Sequence, residues 1–510
     1  MIAQVSSCGL MGVDGFIVQV ETDIANGLPS FDIVGLPDAA VRESKERVRA
    51  AIKNTQLSFP VKKITINLAP AHIKKEGASF DLPISIAILA AAGQVDRQNI
   101  SEYLFIGELS LNGELRKVNG ALPIAIAARD SGFKRLIVPQ ENAYEAAAVN
   151  GIEIYPAKTL SQIIAHLTDK QCITPFEINV DAFFCPDTQY DIDFSDVKGQ
   201  ENTKRALEVA AAGGHNLLMI GSPGAGKTMI AKRVPTILPD MTFEEALQVT
   251  KIHSVAGLVP NNTPIITTRA FRSPHHTISN ASLVGGGRIP RPGEMSLAHN
   301  GVLFLDELPE FKREVLEVMR QPLEDGVVTI SRVNASLTYP CNTMLIASMN
   351  PCKCGFFGDP VRTCTCTPLQ IQNYLARISG PLVDRLDIQV QVAPVRYEDL
   401  ESEHTSESSK EMKQRVNKAR KIQINRYKKS KIFSNAQLNP AQIKKYCILG
   451  TKEKQLLQDV FDKMGLSARA YHKILKVART IADLEGAEVI AASHLAEAIQ
   501  YRSLDRKFWN

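Results

Sequence analysis

The segment GSPGAGKT, Gly221 to Thr228, has the spacing G-x-x-x-x-G-K-[ST], which suits a chain that must wrap a polyphosphate. Gly221, Gly224 and Gly226 let the backbone curl so that its N–H groups face phosphate oxygens. Lys227 then reaches the β- and γ-phosphates, and Thr228 offers its hydroxyl to Mg²⁺. The candidate nucleotide-binding set is Gly221, Ser222, Pro223, Gly224, Ala225, Gly226, Lys227, Thr228 and the following Met229. Apolar NLLMI precedes it as a strand, and KTMIAKRV follows as a helix that Pro235 ends.

A second segment, GVLFLDEL, is an apolar run ending in Asp306 and Glu307. A buried parallel strand reads this way, and ligands bind at the carboxyl end of such strands. Asp306 would join Thr228 in the Mg²⁺ shell, and Glu307 would polarise an attacking water. The plain alternative is a strand ending in two solvated acids. A third apolar run, TMLIASMN, ends in Asn350, either a hydrogen-bonding partner for the γ-phosphate or a turn residue. Two residues later, CKCGFFGDPVRTCTC holds Cys352, Cys354, Cys364 and Cys366 as two C-x-C pairs. Four thiolates suit tetrahedral Zn²⁺ if Gly355, Gly358 and Pro360 turn the chain back; free thiols are the competing reading.

These residues need elements to carry them. The 510-residue length predicts about three domains. Residues 1–166 read as a mixed α/β domain, with KKITINLAP and FKRLIVPQ as strands and DLPISIAILAAAG as a helix. Residues 167–193 read as an irregular linker. Residues 194–395 alternate strands and helices, the pattern of a parallel sheet covered on both faces, and 396–510 read as a small helical lid domain. The net charge of +5 permits nucleic-acid binding without arguing for it. No apolar run approaches the ~18 residues of a membrane span, and the N-terminus lacks a secretory pattern. With an odd cysteine count, this predicts a cytoplasmic protein with no membrane partner.

The order of VKGQENTKRALEVAAAGGHNLLMIGSPGAGKT, FRSPHHTIS, RPGEMSLAHNGVLFLDEL and ISGPLVDRLDIQV resembles the magnesium chelatase-like branch of the AAA+ ATPases, and within it the YifB/ComM family. The resemblance covers nearly the whole chain. It implies an AAA+ P-loop core with a helical lid, preceded by a Lon-protease-like α/β domain. It further implies a homo-oligomeric ring, a hexamer, that hydrolyses ATP with Mg²⁺ and drives branch migration on single-stranded or branched DNA. On this resemblance Lys227, Glu307, Asn350, Arg385 and Arg469 are the catalytic set. Asn350 is the first γ-phosphate sensor, Arg385 the finger acting on a neighbouring subunit, and Arg469 a second sensor acting from the subunit's own lid. Arg377 rivals Arg385.

Two stretches are candidates to face DNA: FRSPHHTISNASLVGGGRIPRPG, and GVVTISRVNASLTYP read as a hairpin. Arg272, Arg288 and Arg332 would contact phosphates there, or else pack subunits. His275 and His276 would face opposite sides of a strand, so they are not read as a metal site. Near the N-terminus, KKEGASFDLPISIAILAAAG resembles the nucleophile segment of Lon-type proteases, with Ser79 in the serine's place. That chemistry needs a lysine base, yet Leu122 stands at the matching position and Lys117 lies upstream. The domain is therefore read as a relative without protease activity. Arg42, Lys45, Arg47 and Arg49 make a candidate basic helix face. Two alternatives remain: a protein-remodelling AAA+ ATPase, and a Lon-like protease, which the missing lysine opposes.

Overall fold

The structure, a computed structural model, describes residues 1–184, 190–287, 290–332, 335–359, 362–394, 406–428, 430, 432–464 and 466–509. It has two compact units that interleave in sequence. The first is Met1–Cys185 with Phe243–Thr267 and Ser331–Tyr339; the second is Pro186–Thr242, Thr268–Ile330 and Pro340–Asn510. This differs from the contiguous ranges read off the sequence.

The first unit is built on a seven-stranded mixed sheet. Ile2–Met11 and Asp14–Ala25 form its central antiparallel hairpin, turned at Gly12, whose φ of +66° suits glycine. Lys63–Ala69 pairs with Asp14–Ala25. Its Ile64, Ile66 and Leu68 are fully buried, as strand alternation requires. The helix Asp81–Ala91 is buried along its whole length, which explains why it is apolar all round. The helix Phe243–Ala256 docks here because Ala246, Val249 and Ile252 make an apolar face. The backbone N–H of Gly120 donates to the Ser254 carbonyl at 3.0 Å. Residues 168–179 carry no regular structure.

The second unit holds a five-stranded sheet in the order Phe271–Arg272, Val302–Leu305, Met344–Met349, Leu217–Gly221, Ile388–Val392. Every pairing in it is parallel. The strands are almost wholly buried, as their apolar runs predict. Beyond residue 405 the described chain is helical, in Ser409–Arg426, Pro440–Tyr446, Thr451–Met464, Ala468–Glu485, Ala492–Gln500 and Ser503–Phe508. These helices share one hydrophobic core with the sheet: Val416, Ile474 and Ile481 cluster with Leu207, Leu217 and Ile388. They are therefore an integral part of the second unit.

A buried charge cluster joins helix to sheet. Asp387 lies 2.7 Å from Lys473 Nζ and 3.4 Å from His215 Nδ1, and it accepts from the Asn216 N–H at 3.2 Å. Burial alone would raise the Asp387 carboxyl; Lys473 and His215 outweigh it and hold the carboxyl below its usual range. Asp387→Ala leaves Lys473 buried without its counter-charge, so unfolding free energy should fall by about 3–5 kcal/mol in chemical denaturation. Because the folded pKa lies below the unfolded one, this contribution is present above about pH 4 and lost on acidification.

Candidate nucleotide site and cysteine cluster

The parallel sheet brings its carboxyl-end residues together. Gly221 closes the strand Leu217–Gly221, and the loop beyond it turns through Gly224 and Gly226, at φ +83° and +82°. A Cβ at Gly224 would meet nothing within 4 Å, so this glycine serves the backbone angle and not close packing. The Lys227 ammonium folds back onto its own loop, donating to the carbonyls of Gly221 at 2.7 Å and Ser222 at 3.0 Å, and to Asn350 Oδ1 at 3.0 Å. Burial lowers the Lys227 pKa, partly offset by Asp306 and Glu307. Thr228 Oγ1 donates to Asp306 Oδ2 at 2.6 Å. Lys227, Thr228, Asp306 and Asn350 thus converge from one helix and two strand ends.

Two features of this site escaped the sequence reading. Ser348 is fully buried and donates its hydroxyl to Asp306 Oδ1. It also lies 3.4 Å from the Glu307 N–H, which itself bonds Asp306 Oδ1 at 3.0 Å. Strand alternation puts Ser348 on the same side as Asn350, a signal that was available. Glu307 holds φ +53°, a left-handed conformation that costs a non-glycine residue free energy; the turn leaves its side chain exposed.

The arginines lie elsewhere. Arg385 precedes the strand Ile388–Val392, and its carbonyl accepts from Asn216 Nδ2 at 3.0 Å, just before the phosphate-loop strand begins. Its guanidinium donates to the Arg320 carbonyl at 2.8 Å, the Pro381 carbonyl at 2.7 Å, and Glu324. Arg469, near the start of Ala468–Glu485, reaches Glu324 at 4.0 Å. Both line one cavity of about 520 Å³, shared with Glu324, Asp387, Lys473 and Asn342 and with no phosphate-loop residue. Asn216, Asn342 and Asp387 mark this as the amino end of the strands, so a strand of about 13 Å separates it from the phosphate loop. Arg469 thus lies at the opposite end of the sheet from its own phosphate loop. Arg377, in contrast, bonds Glu310 at 3.1 Å and the Pro309 carbonyl at 3.2 Å, beside its own acidic strand end.

The four cysteines come together. Cys352 Sγ lies 3.3 Å from Cys354 and 3.7 Å from Cys364, Cys354 lies 3.5 Å from Cys364, and all four sulfurs fall within 4.8 Å. A tetrahedral Zn²⁺ site with ~2.3 Å bonds needs sulfurs about 3.8 Å apart, whereas a disulfide needs ~2.05 Å. Backbone N–H groups of Phe356 and Thr365 face Cys354 and pull its thiol down to about 5, whereas Cys352, Cys364 and Cys366 are raised, Cys352 chiefly by burial; the feature that suits a metal is the sulfur geometry.

Ser79 sits in the turn Ala78–Phe80, and no hydrogen bond joins its hydroxyl to an amine among the described residues. Leu122 is buried, its N–H donating to Glu145 at 3.1 Å. Lys117 Nζ donates instead to the Val259 carbonyl at 3.1 Å and Asn261 at 3.2 Å. The basic helix face is largely spent: Arg47 bonds buried Asp81 at 2.7 Å, Lys45 lies 3.5 Å from Asp32, and Arg49 caps the Phe59 ring. Arg272 makes a two-pronged pair with Glu294 at 2.6 and 2.7 Å. Arg288 lies outside the described residues; Arg332 ends the first strand of the expected hairpin, Val327–Arg332 with Ala335–Pro340. His275 and His276 are in a turn, not a strand, so their rings lie 4.0 Å apart instead of on opposite faces.

Among the described residues no helix is long and apolar enough to cross a membrane. A glycine-rich loop between strand and helix, with an acidic strand end beside it and a helical C-terminal region, defines a P-loop protein of the AAA+ class. Residues 193–400 match the family "Magnesium chelatase, subunit ChlI", 20–142 "Subunit ChlI of Mg-chelatase", and 406–502 "Magnesium chelatase, subunit ChlI C-terminal". The chain is 45% identical to "Competence protein ComM" of Haemophilus influenzae, across 99% of this chain and 98% of that one. It is 44% identical to "Uncharacterized protein YifB" of Escherichia coli, across 97% and 96%. A 25% identity links 33% of it to 27% of the "Archaeal Lon protease" of Methanocaldococcus jannaschii. The chain belongs to the magnesium chelatase-like YifB/ComM family, which implies ATP and Mg²⁺ as ligands.

With Ser79 lacking a base, wild type and Ser79→Ala should show the same negligible cleavage of casein. Cleavage by wild type that the substitution abolishes would restore the protease reading.

Proposed function

We propose that the chain is an ATP-hydrolysing ring motor that acts on DNA in the cytoplasm, remodelling branched or single-stranded intermediates of recombination. The observation that carries the ring is the separation of the two halves of one site: phosphate-binding groups at the carboxyl edge of the sheet, arginines at the amino edge. A subunit so built needs a neighbour, and a head-to-tail ring, taken as a hexamer, supplies one to every site. DNA as the track rests on the family resemblance and on the relative named for competence.

The residues fit the nucleotide. Lys227 is held by neutral oxygens only, so its charge is free to meet phosphate. Thr228 and Asp306 already touch and would hold a Mg²⁺, whose charge would offset that of the phosphates. Asn350 holds the Lys227 amine and faces the γ-phosphate position. Glu307 orients the attacking water, its exposed carboxylate presented by the strained turn. Arg385 and Arg469 act on the neighbour's γ-phosphate, exchanging Glu324 for a more highly charged anion. Cys352, Cys354, Cys364 and Cys366 hold a structural Zn²⁺.

A protein-remodelling ATPase would share all of these residues, and the engagement of Arg272 by Glu294 favours that second reading. The discriminating experiment is ATP turnover with and without single-stranded, duplex and branched DNA, followed by strand displacement from the branched substrate. The motor reading expects stimulation and displacement; if no DNA raises the rate and none is remodelled, it is wrong. Lys227→Ala should abolish turnover, while Glu307→Gln should retain nucleotide binding and lose about 10²–10⁴ in rate.

A further inference from the structure

We propose that the metal-loaded cysteine loop is a latch on the phosphate loop, so that Zn²⁺ occupancy sets nucleotide affinity; this rests on the zinc reading above. Between Asn350 and the helix Pro368–Leu375 the described chain forms no helix or strand. Its described backbone–backbone bonds are short-range, Gly355 N–H to the Cys352 carbonyl at 3.0 Å and Asp359 N–H to the Phe356 carbonyl at 3.1 Å. Other N–H groups of the described segment turn to the cysteine sulfurs, those of Phe356 and Thr365 to Cys354, so the sulfur cluster organises the loop, and in such sites metal binding is folding free energy.

That shape is pressed against the nucleotide site. A Cβ built on Gly355 would stand 2.4 Å from Pro223 Cδ and 2.6 Å from its Cγ, so the Gly355 backbone lies directly on the Pro223 ring. The gap between the two loops, lined by Gly221, Ser222, Pro351, Gly355 and Phe357, measures about 20 Å³, room for one water. Gly224, on the far side of Pro223, has nothing within 4 Å of a Cβ position. The cysteine loop is thus a wall behind the phosphate loop, whose other side faces open space. The same loop begins at fully buried Cys352, two residues from Asn350, whose side-chain Oδ1 accepts from Lys227. Five residues further on, between the two cysteine pairs, the Phe357 ring packs edge-on to Phe508, centroids 6.2 Å apart. Release of the four sulfurs frees the wall at both places, and a phosphate loop without its backing must pay its own ordering entropy on binding.

The test uses the full-length protein, its zinc content by elemental analysis, and its affinity for a fluorescent ADP. One zinc per chain is expected. Cys354→Ser with Cys364→Ser should remove the zinc and weaken ADP binding at least tenfold. Gly355→Ala puts a Cβ against the Pro223 ring and also strains a φ of +87°; it should still weaken binding at least fivefold, and full zinc content in that variant reports that the cysteine loop has kept its fold, which separates the latch from general misfolding. A zinc-free double variant that binds ADP within twofold of wild type overturns the latch and leaves the zinc reading standing. Wild-type protein without zinc and with four freely titrating thiols overturns both.

Discussion

A parallel sheet has two unlike ends, and this protein is organised by that asymmetry. All five strands of the main sheet in its second unit run the same way. The loops leaving their carboxyl ends therefore meet, which is why Lys227, Thr228, Asp306 and Asn350 form one cluster although 123 residues separate Lys227 from Asn350. The segments entering the amino ends meet as well, and there Arg385 and Arg469 share Glu324. Neither set can reach the other through the sheet. On the proposed reading, hydrolysis becomes a property of an interface, and each subunit reports its position to the next through its arginines.

The first unit bears on the same question through covalent connection. Phe243–Thr267 departs after the phosphate-loop helix and returns before the acidic strand, and Ser331–Tyr339 departs between the acidic strand and Asn350. The first excursion is built into the first unit's packing: Ser254 bonds the buried carboxylate of Glu145, and Lys251 pairs with Asp14 at 3.1 Å. Leu122 lies in the first turn of the helix Ala121–Asp130, and the Gly120 N–H just ahead of that helix bonds the Ser254 carbonyl of this insert.

Much of this was legible in the sequence because it depends on local spacing. The phosphate loop, the acid pair after an apolar run, the alternating strands and the four cysteines are all patterns within a few residues of each other. What was not legible depends on long-range pairing. Glu324 lies 61 residues from Arg385, and nothing in its own segment marks it as the carboxylate that gathers two arginines. Arg272 looked free until Glu294, 22 residues on, took both prongs of its guanidinium. The histidine pair was misjudged through its element: a turn places adjacent rings together, a strand apart. The position of Arg469 was hidden for the same reason, since only the register of Ile388–Val392 beside Leu217–Gly221 reveals at which end of the sheet the arginines lie.

The most direct measurement is ATP turnover by mixed assemblies of Lys227→Ala and Arg469→Ala chains. Arg469 is the cleaner choice because its side chain is 59% exposed, so its removal leaves packing intact. Each variant alone should be inactive or nearly so. Equal mixing should create interfaces where an intact phosphate loop meets an intact arginine, restoring about a quarter of the wild-type rate in a randomly mixed head-to-tail ring. Mixtures no more active than the better single variant would show that each chain completes its own site, and would contradict the division of that site between the two ends of the sheet.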